Sequence, residues 1–152
     1  MGLKYLLKEL KIGLSETSKY ILSHHQKDEY YKCYLFKIKN KQIAFCSRCL
    51  GIYLGILLGI ALLTFQIPDK KLYYFLIAFF PIFALIDWSI SAFTKFKSNN
   101  LIRTSSGVFL GLAYTFGFFL FFTTFPNYYV IGIGFFYIIL TFLLIKIKRG
   151  LL

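Results

Sequence analysis

Two groups of side chains in this chain of 152 residues have types and spacings suited to chemistry. The first is Cys46-Ser47-Arg48-Cys49, preceded at some distance by His24-His25. A two-residue gap lets both sulfurs of a Cys-x-x-Cys pair reach one ion, and Zn2+ takes thiolate and imidazole ligands in tetrahedral sites. His24, His25, Cys46 and Cys49 therefore supply three or four ligands for Zn2+ or a similar divalent metal. The same residues also suit two other descriptions: small buried thiols beside solvated histidines, or a thiol redox pair.

The second group is polar and sits against long apolar runs. Asp87 is the only acidic residue inside any of them. An ionisable group at such a depth is costly in hydrocarbon and faces a partner or a wet cavity, which makes Asp87 a candidate catalytic base. The alternative is an ion pair with Arg103 or Arg48 that holds helices together. Asn100, Arg103, Gly107 and Gly111 follow at intervals of three, four and four and so share one helix face. Arg103 at the mouth of that helix has the planar fork that holds a phosphate or carboxylate, and Arg48 and Asn100 are its candidate companions in binding substrate. A topology anchor whose charge snorkels to the interface is the plainer role for such an arginine.

The elements that must position these residues are membrane helices. The chain is 58% hydrophobic and 21% aromatic, with mean hydropathy +0.66, which is too apolar for a soluble domain of this length. Apolar runs at Ile43–Phe65, Leu72–Phe93, Leu101–Phe125 and Tyr128–Ile147 are each long enough to cross a hydrocarbon core of about 30 Å. The net charge of +12 is placed by these spans: sixteen of the 18 Lys and Arg residues fall on one side and only Lys70 and Lys71 on the other. The positive-inside rule then puts both termini in the cytoplasm of a multi-pass cell-membrane protein. The charge thus reads as a topology signal with attraction to anionic lipid as a second consequence, and nucleic acid is not an expected partner. The three cysteines fall on the reducing side, where a structural disulfide is not expected.

Outside the spans, Leu3, Leu6, Leu7, Leu10 and Leu14 recur at helical spacing among Lys4, Lys8 and Lys11, so the N-terminus reads as a basic amphipathic helix at the interface. The first 41 residues lack the uninterrupted apolar stretch of an export signal. Residues Tyr34 to Phe45 alternate around Lys39-Asn40-Lys41, the pattern of a short hairpin. A hairpin here returns the chain to its start and brings the histidines back towards the cysteines. Gly51, Gly55 and Gly59 in the first span, with Gly107 and Gly111 in the third, are spaced for close helix packing, which would bring Arg103 near Arg48 and the cysteine pair. Residues 1–41 form a cytoplasmic or interfacial segment, and residues 42–152 a four-helix transmembrane domain.

These motifs resemble the domain of unknown function 2085 family of predicted membrane proteins. Its signature runs Cys-His-Gln, then Cys-x-Arg-Cys-x-Gly-Ile-Tyr-x-Gly, an Asp in the next helix, and Asn-x-x-Arg-x-x-Thr-Gly-x-x-x-Gly. The chain has His24-His25-Gln26, Cys46 through Gly55 in the same pattern, Asp87, and then Asn100, Arg103, Ser106, Gly107 and Gly111. His24 replaces the family's cysteine, an exchange that a zinc ligand tolerates and a redox thiol does not. Trp88 stands where the family has glycine. The resemblance implies a shared site and no particular reaction.

The expected fold is therefore an all-α membrane protein: four transmembrane helices, an N-terminal amphipathic helix and a small cytoplasmic hairpin. The expected function is a metal site at the cytoplasmic face serving an enzyme that acts on a lipid, isoprenoid or other membrane-bound substrate. A zinc staple in a transporter or assembly subunit is the alternative, and a membrane thiol oxidoreductase the third. The redox role ranks last because known four-helix quinone-reducing enzymes place their pair on the oxidising side or add a second relay pair. Membrane lipids are the expected partners, with an anionic lipid or membrane-bound substrate at the site, and an oligomer is left open.

Overall fold

In a computed structural model of the chain, residues 9, 25, 27–38, 41–65, 70–94 and 98–150 are described. A 3-10 turn at Lys27–Lys32 leads into strand β1 (Cys33–Ile38), antiparallel to β2 (Lys41–Cys46) with Cys33 opposite Cys46 and Phe36 opposite Ile43. Four helices follow: α1 (Ser47–Thr64), α2 (Lys70–Phe93), α3 (Asn100–Thr123) and α4 (Tyr128–Gly150). All four are long and apolar enough to cross a membrane. The expected amphipathic helix over Leu3 to Leu14 lies outside the described residues apart from Glu9.

The largest boundary difference from the sequence expectation is at the first membrane helix. The first membrane helix begins at Ser47 and not at Ile43, because Ile43–Cys46 pair with β1 as the end of the hairpin. A strand that runs straight into a membrane helix shows no break in hydropathy, so the apolar run alone overstates the helix. The division drawn at 41/42 falls within β2.

α3 is the centre of the bundle and packs most extensively on α1, then on α2. The α1–α3 contact is glycine against glycine: a Cβ built on Gly55 would lie 3.0 Å from the Gly111 Cα and closer still to the Val108 carbonyl oxygen, nearer than real Cβ atoms come without a shift. All three α1 glycines are buried, as are Gly107 and Gly111 of α3. Beyond this seam, Tyr73 and Ile77 of α2 join Leu112, Phe116 and Leu120 of α3 in an apolar core. α4 contributes no buried residue among those described. It is moored by Tyr137, whose hydroxyl donates to the Ala78 carbonyl, and by the preceding Asn127, which donates to the Tyr74 hydroxyl (2.8 Å) and accepts from Val130 N–H (3.3 Å).

Polar bonds fasten the hairpin to one end of the bundle. Ser47 donates to the Lys32 carbonyl (2.9 Å), Thr104 of α3 donates to the Ser47 carbonyl (3.2 Å), and the Tyr34 and Thr104 hydroxyls lie 3.1 Å apart. The register follows from these anchors. Cys33 and Cys46 are both buried where the hairpin meets the helices.

Candidate functional site

At the hairpin end, a cavity of about 310 Å3 is lined by residues from every part of the fold: His25 and Lys32 before the hairpin, Cys46, Arg48 and Cys49 at the start of α1, Trp88 and Ser91 of α2, Arg103 of α3 and Lys148 of α4. The hairpin accounts for the juxtaposition of His25 with the cysteine pair, as the sequence pattern had implied. The α1–α3 glycine seam accounts for Arg48 and Arg103 facing one space. Of the site residues expected from sequence, His24 lies outside the described residues, and Asn100 is not part of the cavity wall. Asn100 instead donates to the Cys33 carbonyl (3.4 Å) and secures the hairpin.

Asp87 is not part of this wall and lines a separate cavity with Ser98 and Ser106. Its Oδ2 accepts from Arg48 Nη2 and from the Ser106 hydroxyl (3.4 Å), and its Oδ1 accepts from Ser98 (2.5 Å). Arg103 Nε donates to the Ser98 carbonyl (3.2 Å), so one serine connects the carboxylate with the second arginine. Asp87, Ser98, Arg103 and Ser106 are all buried. Removing the Arg48 guanidinium from this network would leave a carboxylate stranded in a dry place, which is why these groups occur together. Asp87 thus bridges α1, α2, α3 and the segment before α3 at a single point. Ser98 and Ser106 were not singled out in the sequence as partners of this charge, although Ser106 lies three residues beyond Arg103 and shares its side of the helix.

The cysteine pair occupies the N-terminus of α1, with Cys46 as the residue that precedes its first turn. The Cys46 thiol is held below its ordinary value chiefly by hydrogen bonding from the Cys49 thiol, with help from the Cys49 and Arg48 backbone N–H groups and the nearby His25; burial opposes the effect. Backbone N–H groups directed at a helix-terminal sulfur favour thiolate, whether its partner is a metal or another sulfur. His25 places Nδ1 2.8 Å from Glu29 Oε2. Glu29 is held down to about 2 by Lys32 first and His25 second, so it is ionised. A carboxylate on one ring nitrogen fixes the tautomer in which the other nitrogen carries the lone pair, the arrangement common behind metal-binding histidines. Glu29 was readable as the residue one helical turn after His25, but its role depends on the 3-10 turn that the sequence did not reveal.

The donor types fit a Zn2+ site, two thiols and an oriented imidazole facing one cavity. Among the described residues, however, no three His, Cys, Asp or Glu side chains form a group close enough to hold an ion together.

Four membrane-crossing helices around a buried charge network, closed at one end by a hairpin, define a multi-pass α-helical membrane protein. A family model described as "Predicted membrane protein (DUF2085)" matches residues 25–117, more than half of the chain, and the chain belongs to that family. The matched stretch runs from His25 through Cys46, Cys49, Asp87 and Arg103 and ends within α3, before α4. Neither a curated protein nor a solved structure matches.

Proposed function

We propose that the cavity at the hairpin end is a metal centre at the cytoplasmic face of the membrane, held by Cys46, Cys49 and a histidine of the His24-His25 pair, and that it serves an enzyme acting on a membrane-borne substrate. The observation that carries this reading is the fold's delivery of His25, from before the hairpin, to the same cavity as Cys46 and Cys49. Bound there, a divalent metal would supply a Lewis acid beside Arg48 and Arg103. The protein's own groups would do the rest. Glu29 orients the histidine, Arg103 positions an anionic substrate, and the Asp87–Arg48 pair keeps α1, α2 and α3 in register around the site.

Titration of metal-free protein in detergent with Co2+ tests this directly, since thiolate ligation gives intense near-ultraviolet charge transfer and tetrahedral geometry gives strong visible bands. Both are expected in the wild type, and both should disappear in Cys46→Ser with Cys49→Ser. Absence of these bands in the wild type would refute the metal reading. A spectrum of four protein ligands with no exchangeable position would replace the enzyme with a structural staple.

A second reading is favoured by one observation: Cys46 and Cys49 stand three positions apart at the N-terminus of α1 and line one cavity, the arrangement of a dithiol redox pair. A dithiol that cycles to a disulfide with a membrane-soluble oxidant, and binds no Co2+, would establish that reading instead.

A further inference from the structure

The cavity wall carries four cations, Lys32, Arg48, Arg103 and Lys148, and no carboxylate. Two of them are already balanced, Lys32 by Glu29 and Arg48 by Asp87. Arg103 and Lys148 have no acidic partner among the described residues, and Arg103 is only 5% exposed. Arg103 meets the Ser98 carbonyl and the face of Tyr31, with the guanidinium carbon 6.0 Å from the ring centroid. A buried guanidinium without a counter-anion is unfavourable. Two further residues of the wall carry buried polar atoms with no hydrogen-bond partner among the described residues: Arg48 Nε and the Ser91 hydroxyl. Both can donate. Beside the histidine and the cysteine pair, the wall is completed by Ile52, Trp88 and Ala92, which are apolar and belong to the membrane helices.

From these two cations without a carboxylate partner, beside an apolar wall, we propose that the cavity binds a phosphate monoester, with the phosphate between Arg103 and Lys148 and any attached chain along Ile52 and Trp88. A phosphate monoester carries about −1.5 to −2 charge at neutral pH and presents acceptor oxygens, so it matches both the charge and the donors. A carboxylate would balance one charge and a phosphodiester also one. The inference deepens the reading of this cavity as the working site by naming its substrate class, and it does not depend on the metal.

The test measures binding to the full-length protein in detergent micelles, using dioctanoyl phosphatidic acid, dioctanoyl phosphatidylcholine and inorganic phosphate as probes. Phosphatidic acid should bind saturably and at least about tenfold more tightly than phosphatidylcholine, and Arg103→Lys should weaken it about tenfold, because the ammonium replaces a planar fork with a point charge. Lys71→Gln, at the start of α2, should leave binding unchanged. Tighter binding of phosphatidic acid than of inorganic phosphate identifies a lipid monoester, whereas equal affinity identifies a soluble phosphate in the same place. Should Arg103→Lys fail to fold, Ser91→Ala and Lys148→Gln carry the test, each weakening binding several-fold. Equal binding of phosphatidic acid and phosphatidylcholine, no binding of any probe, or unchanged binding in the foldable variants would overturn the proposal. The two ideas fail separately in the wild-type protein: saturable phosphatidic acid binding without Co2+ bands would refute the metal reading and keep this proposal, and Co2+ bands without phosphate binding would do the converse.

Discussion

Asp87 has three partners on three different stretches of chain, and the consequences of removing it are correspondingly large. Asp87→Asn keeps the shape but leaves the Arg48 guanidinium without its charge partner, and the expected loss of stability is about 3–5 kcal/mol. A double change of Arg48→Met with Asp87→Leu removes both charges together and should recover most of that loss, as measured by Tm in detergent. If the double variant is no more stable than the single one, the pair does not act as a helix bridge. The sequence made Asp87 conspicuous, as a lone acid in apolar surroundings. It could not say whether Arg48 or Arg103 answers it, because that choice depends on the rotation of α1 and α3 about their axes and on Ser98, which stands outside any periodic pattern.

Helix contact in lipid draws little from hydrophobic association, so close backbone approach must do more of the work. The α1–α3 seam shows this. Gly55→Ala and Gly111→Ala each place a methyl group where there is already backbone, and each should cost about 1–3 kcal/mol. Gly134→Ala in α4 meets nothing within 4 Å and should leave Tm unchanged or slightly raised. Equal effects at the three positions would mean that the seam is not a packing interface. The glycine spacing was legible in the sequence because it repeats every fourth residue, and the hairpin was legible because apolar and basic residues alternate. The end of the hairpin was not, since Ile43, Ala44 and Phe45 are equally suited to a strand and a membrane helix. α4, with the most apolar span, proves to be the least buried helix. Hydropathy reports exposure to lipid and burial in protein alike, so it gives no warning of which helix stands outside.

At the scale of the whole molecule, the cavity draws Lys148 from the end of α4 to the same end as Lys32 and Arg48. Four helices in alternating directions require this arrangement, and it groups the basic residues with the candidate site. Both termini, and the cavity, are therefore expected on the cytoplasmic side. A reporter fused to the C-terminus should be active only in the cytoplasm, and an impermeant thiol reagent should fail to label Cys49 in intact cells. Labelling of Cys49 from outside would reverse the orientation and favour the dithiol reading, because the pair would then face an oxidising compartment.

Ligation of a metal ion by Cys46, Cys49 and a neighbouring histidine is read out by the metal content of the full-length protein purified gently without chelators or affinity metals. About one divalent ion per chain is expected, zinc or a similar metal. In the Cys46→Ser, Cys49→Ser double variant the same measurement should fall to background. Metal-free wild-type protein, together with a double variant of unchanged Tm, would contradict it.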